Sequence, residues 1–210
     1  LPTSNSDFAA ATVKLHLHAA EVSITEAALF GDPTIARHSS AHRTQYLYAC
    51  TQAVKQWFEV FFNIPIRDIN GVTTSTIMQM RHAIGLLYIL STIDEPGWRK
   101  EDVSEIVNLY PTLDRLANIL SQIPAAVSGR RDVDVDSADY ADHWWTHVAG
   151  TIRTMRTIWS GQLGNSVVPE LNSAAFGGDA GTSNNAVDGT ELDFPGLDWL
   201  MDPAMMSFAV

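Results

Sequence analysis

The chain has 210 residues, of which 46% are hydrophobic, and a formal net charge of −11. That is enough apolar material for one sizeable core, while the acidic excess leaves no dense Lys/Arg face to displace counterions from phosphates, so direct nucleic-acid binding by this segment is not expected. A single cysteine, Cys50, excludes an intrachain disulfide and a thiolate-rich zinc site and points to a reducing compartment.

The sequence starts at Leu1, and "LPTSNSDF" lacks the basic start, apolar run and small-residue cleavage site of a secretory leader. The expectation is a piece of something longer. From Phe8 to Phe30 apolar residues recur three or four apart, at Val13, Leu17, Ala20, Ile24 and Ala28, which predicts a helix facing the core along that stripe, with Ser6 or Asp7 as its cap. Gly31, Asp32 and Pro33 end it. A second helix is predicted over about Ser40 to Phe62, with a broad stripe of Leu47, Cys50, Val54, Trp57, Phe58, Phe61 and Phe62, closed by "NIP" at Asn63 to Pro65.

A third starts near Thr74, carries Ile77, Met80, Ile84, Leu87 and Tyr88, and stops at the turn "DEPG", Asp94 to Gly97. Its densest apolar run, "HAIGLLYIL", is too short to span a membrane. A fourth periodic stretch, about Lys100 to Ile123, holds Val103, Ile106, Tyr110, Leu113, Leu116 and Leu120. Pro111 lies inside it, so a kink is predicted, or two abutting helices with Pro111 in the first turn of the second. "SGRRDVDVDSAD", Ser128 to Asp139, is a charged connection whose Val133 and Val135 imitate strand alternation without a partner strand. The last helix is predicted over about Asp139 to Trp159, with Tyr140, Trp144, Val148, Ile152, Met155 and Trp159 on one side. Gly161 to Thr190 is rich in Gly, Ser, Asn and Ala and is expected to be a flexible linker. The fold class is therefore all-α: an irregular bundle of about five helices followed by a flexible acidic tail, divided as 1–160, 161–190 and 191–210.

Few residues suggest chemistry. His143 and His147 in "HWWTH" have the i, i+4 spacing of a helical zinc site, but Trp144 stands where a zinc protease needs Glu. His16 and His18 fall on different sides of their helix. Boundary histidines are the plainer reading, and no metal is assigned. Cys50 lies in an apolar stripe and is expected to pack as a small hydrophobe. Asp132, Asp134 and Asp136 sit beside Arg130 and Arg131 in a solvated turn rather than a tuned acid/base pair. Gly177 to Gly181 neither follow a strand nor open a helix, so they have no context for a phosphate loop. The belt Trp57, Phe58, Phe61 and Phe62 suits a core better than a ligand pocket. No catalytic residue is assigned. The alternatives are a small helical metal-dependent enzyme using His143 and His147, or a helical small-molecule-binding module.

The tail, "ELDFPGLDWLMDPAMMSFAV", alternates Leu192, Phe194, Leu197, Trp199, Leu200 and Met201 with Glu191, Asp193, Asp198 and Asp202. Acid among bulky apolar groups keeps a segment dissolved while leaving anchors for a partner's groove. Phe194, Leu197, Leu200 and Met201 share one helical face, and Phe208 adds a further anchor. Pro195 suits a first helical turn, and Asp202 with Pro203 can start another.

Taken in order, "LHLHAAEVSITEAAL", "LYACTQAVKQWFEVFF", "QMRHAIGLLYILSTIDEPGWRKEDV" and "LYPTLDRLANIL" resemble the C-terminal part of fungal Zn(II)2Cys6 (binuclear zinc cluster) transcription factors. The most specific piece is "LSTIDEPGW", Leu90 to Trp98: an apolar helix end, an acidic pair, a Pro-Gly turn and a tryptophan opening the next helix. The resemblance implies a nuclear, non-catalytic regulatory region, sometimes responsive to small inducers, that acts on RNA polymerase II transcription. It implies partners among transcriptional coactivators or mediator-type proteins, with the tail as activation segment, no membrane, and a homodimer through the full-length protein. The six-cysteine cluster of such factors is absent here, so DNA contact and zinc are expected only in a part preceding Leu1, and this chain needs no cofactor.

Overall fold

The computed structural model describes residues 5–30, 40–94, 96–127 and 135–165. Among them the chain is all-helical: α1 (Asn5–Phe30), α2 (Ser40–Phe62), α3 (Ile66–Ile69), α4 (Thr74–Thr92), α5 (Lys100–Ile106), α6 (Leu109–Val127) and α7 (Val135–Asn165). Five are long and α3 and α5 are short. α1 packs along α2 and α6 along α7, and α4 joins the two pairs by touching α1, α2, α5 and α6. The stretch from 166 to 190 and the whole tail lie outside the described residues.

The central helix is set by composition. Met80, Ala83, Ile84, Leu86, Leu87 and Leu90 are all buried on α4, with Thr76 and Arg81 beside them. A helix buried on most of its circumference is one that others pack around. Thr73 caps its start, its hydroxyl accepting from the Thr76 amide at 3.3 Å, which satisfies one of the free N–H groups of the first turn. The stripe predicted for α2 is buried as expected except for half-buried Phe62, with Trp57 stacked on Phe61 at 5.3 Å and edge-on to Phe58 at 5.3 Å. The aromatic belt is core.

The stripe predicted for α1 is the wrong one. Val13, Leu17 and Ile24 are 68%, 56% and 71% exposed, and Ala20 is exposed with them. The buried residues are Leu15 and Val22, supported by Phe8, Ala11, Ala19 and Leu29. At 3.6 residues per turn these lie about 180° around the helix from the exposed stripe. α1 thus has two apolar faces, and periodicity cannot rank them. α2 selects one, with Thr25 of α1 reaching Cys50. Polar ties also hold the inner side. Gln79 on α4 accepts from the Trp57 indole at 3.5 Å and donates to His16 Nδ1 at 2.6 Å, and His82 Nε2 donates to Glu26 at 2.5 Å.

The join from α4 to α5 is built around Trp98. α4 stops at Thr92, Gly97 takes the left-handed φ of 83°, and Trp98 folds back so that its indole N–H donates to the Leu90 carbonyl at 3.0 Å. One end-of-helix carbonyl thereby gains a donor that the helix no longer supplies. Tyr48 of α2 lies against the Trp98 ring, centroids 4.7 Å apart, and its hydroxyl donates to Asp102 in the first turn of α5. That bond, then burial, raises the Tyr48 phenol above its ordinary value. A single turn therefore fixes three helices.

Pro111 sits in the first turn of α6, as predicted, because a proline there loses no helical bond. Two boundaries differ. α7 starts at Val135, inside the stretch expected as a loop, and runs to Asn165, five residues into the expected linker. Its buried side is Trp145, Val148, Ala149, Ile152, Met155 and Trp159, with Trp144 half-buried. Arg156 pairs with Asp114 at 3.2 Å, Trp159 stacks on Tyr88 at 4.3 Å, and the Tyr110 hydroxyl donates to the Trp159 carbonyl at 3.3 Å. α3, absent from the sequence reading, places Asn70 to accept from the Trp145 indole at 2.9 Å.

Two outcomes are expected in chemical denaturation. Trp159→Ala removes a fully buried indole and its stack on α4, and it should cost about 3–5 kcal/mol. Gly97→Ala has room, the nearest atom to a new Cβ being Thr44 Oγ1 at 3.6 Å, so the cost is set by φ and should be about 1–2 kcal/mol.

Candidate functional site

The residues singled out for chemistry are not brought together. His147 is exposed on α7, and the His143 side chain lies outside the described residues. His16 is held by Gln79, and His18 donates to Glu21 on its own helix at 2.8 Å. Among the described residues no group of three or more His, Cys, Asp or Glu is placed to hold a metal ion. Asp132, Asp134, Gly177 to Gly181, and the tail anchors Leu192, Phe194, Leu197, Trp199, Leu200, Met201 and Phe208 all fall outside the described residues.

Cys50 is fully buried between α1 and α2. Burial pushes its thiol up to about 11 from an ordinary 9.0, the Glu26 carboxylate adding slightly and a hydrogen bond with Thr25 opposing. A protonated, enclosed thiol is neither nucleophile nor ligand. It packs, as the sequence indicated.

What the bundle does present is surface. No helix among the described residues is long and apolar enough to cross a membrane. Among the described residues the large apolar side chains left exposed are Val13, Leu17 and Ile24 on α1, Tyr46, Met78 and Ile158. Three of these six share one helix face. Sequence reasoning placed that face in the core, because both stripes keep helical spacing and only packing against α2 separates them.

Residues 66–205 match the family model of a C-terminal domain designated ATEG07667_C. The chain belongs to this family. The family range opens at the first residue of α3 and continues past α7 into the acidic tail, taking in Leu192 to Met201 and stopping before Phe208. Transcription factor opdL of Penicillium oxalicum is 32% identical over 120 residues, which is 57% of this chain and 21% of that protein. The chain thus corresponds to about a fifth of that relative's length. No solved structure matches. Both matches agree with the resemblance drawn from the sequence, to the C-terminal part of fungal transcription factors.

In the native chain, Cys50 should resist a thiol reagent at pH 8 and react fully once the chain is unfolded. The raised value also fixes a sign. The unfolded thiol ionises first, so this contribution to stability is present below about pH 9 and is lost as the pH rises towards 11. A pH series of unfolding midpoints, with Cys50→Ala as control, reads it.

Proposed function

We propose that this chain is the regulatory and transactivation region of a fungal zinc-cluster transcription factor, a non-catalytic part that acts on RNA polymerase II transcription in the nucleus. DNA contact and zinc belong to another part of the same protein. The observation that carries this reading is the family match, which runs from α3 through α7 and into the acidic tail. The name of the related Penicillium protein supports the transcriptional role, and the net charge of −11 argues against this segment gripping DNA itself.

Within that reading the helical part is the scaffold and the tail is the working segment. Residues 192–208 carry Leu192, Phe194, Leu197, Trp199, Leu200, Met201 and Phe208 among acids. Each helix that Pro195 or Asp202 could start is too short to persist alone in water, so ordering requires a coactivator or mediator-type partner with an apolar groove. Aromatic and leucine anchors then carry the binding, and the acids govern encounter rate.

Fused to an unrelated DNA-binding domain, residues 191–210 should drive a reporter. Changing Phe194, Trp199 and Leu200 together to alanine should lower the output about ten-fold or more, and Asp198→Asn about two-fold or less. A silent fusion, or full output from the triple variant, rejects the proposal.

A further inference from the structure

α1 and α4 meet through a short polar relay that starts inside the bundle and ends at its surface. The Trp57 indole of α2 is 1% exposed and donates to Gln79 Oε1 at 3.5 Å, and Gln79 Nε2 lies 2.6 Å from Nδ1 of His16, exposed on α1. An indole N–H is a donor and nothing else. It therefore fixes which end of the Gln79 amide points inward: the oxygen faces Trp57, and the NH2 group is left to face the histidine. His16 Nδ1 must then accept, so its ring proton sits on Nε2.

A second ring proton breaks this arrangement. With both nitrogens protonated His16 has only donors, and its Nδ1–H meets the NH2 of Gln79. Turning the amide over satisfies His16 but sets the NH2 against the Trp57 N–H instead. One bond of the relay is lost either way, and among the described residues Gln79 is the one acceptor that the Trp57 indole has. The loss falls on a buried donor, a kind of group that is costly to leave unpaired.

Neighbouring charges do not relieve it. On α1, Glu21 bonds His18 at 2.8 Å, and Glu26 bonds His82 of α4 at 2.5 Å. On α2, Glu59 pairs with Lys55 at 3.8 Å, while His42 and Arg43 precede Trp57 by about 21 Å or more along the helix. Asp7 precedes His16 by about 13 Å along α1. Lys14, two residues before His16, and Arg81, two residues beyond Gln79, oppose a further positive charge. His18 and His82 are the reverse case, since a proton on either adds an ion pair to a bond already made.

We propose that His16 is a proton-sensitive latch on the contact between α1 and α4: neutral, it closes the relay from Trp57, and protonated, it opens it. Donors and acceptors fix the sign. The stabilisation is present while the imidazole is neutral and is lost as acid protonates it, around the pH of about 6.5 at which imidazoles ordinarily titrate. His16 also borders the exposed apolar face of α1, beside Leu17 and one turn from Val13 and Ala20, so opening the latch places a positive charge at the edge of that face. The inference does not depend on the transcriptional role.

Nitrogen-15 NMR of the histidine rings in the full chain, with thermal midpoints measured from about pH 8 to about pH 5.5, tests it. At neutral pH His16, assigned by the resonance that His16→Asn removes, should show the Nε2–H tautomer. The Asn amide oxygen also accepts from Gln79 but takes no proton, so the wild-type midpoint should fall over that range by about 2–4 °C more than that of His16→Asn. Gln79→Glu should abolish this extra fall, because a carboxylate accepts from Trp57 and from protonated His16 together. An Nδ1–H tautomer in the wild type overturns the inference. So does the absence of an extra fall, or one that Gln79→Glu leaves intact, since either places the pH dependence at other groups. The tautomer is read on the unaltered chain and decides the matter even where a variant fails to fold.

Discussion

The bundle depends on burying α4. A helix carrying Met80, Ala83, Ile84, Leu86, Leu87 and Leu90 around most of its circumference keeps only a narrow solvent strip at Ser75, Met78 and His82, and it is stable only when other helices enclose the rest. Two helix pairs do so from either side, α1 with α2 and α6 with α7. The C-terminal end of α4 is pinned by two indoles. Trp98 turns back onto the last carbonyls of α4, and Trp159 lies flat on Tyr88. Core burial and polar closure act at the same places, because each indole removes a large apolar area from water, and that of Trp98 also donates to the Leu90 carbonyl.

The family range starts at α3 and leaves out α1 and α2. The packing does not divide there. Trp57, Phe58 and Phe61 of α2 and Leu15 of α1 belong to the same core as Leu87 and Leu113. The turn at Gly97 and Trp98, inside the range, is held by Tyr48, outside it. The cooperative unit therefore includes all seven helices, and a domain cut at residue 66 would expose the side of α4 that faces α1 and α2.

Most of the helical frame is legible in the sequence because its punctuation is strong. "NIP" ends α2, "DEPG" ends α4, and Pro111 enforces a new helix start. Less is legible where two signals compete. α1 carries apolar stripes on opposite faces, and a period of 3.6 residues describes both equally well; only the presence of α2 decides between them. "DVDVDSAD" alternates like a strand, yet from Val135 the chain is helical. α3 is four residues long, too short for any periodicity to show. The site fares differently. Cys50 is inert for the reason its neighbours suggested, enclosure in an apolar stripe. The histidines of the described helices are scattered across α1, α2, α4 and α7, and spacing along one helix carries no information about a third ligand from another.

The two-faced character of α1 has an evolutionary consequence. Residues that fold the domain and residues that meet its surroundings lie on opposite sides of one helix, so a change at Val13, Leu17 or Ile24 leaves Leu15 and Val22 in place. Selection can then rewrite the outer face without passing through unfolded intermediates. α1 also stands outside the family range, and a relative that keeps the inner stripe while altering the outer one would retain the bundle and acquire different company.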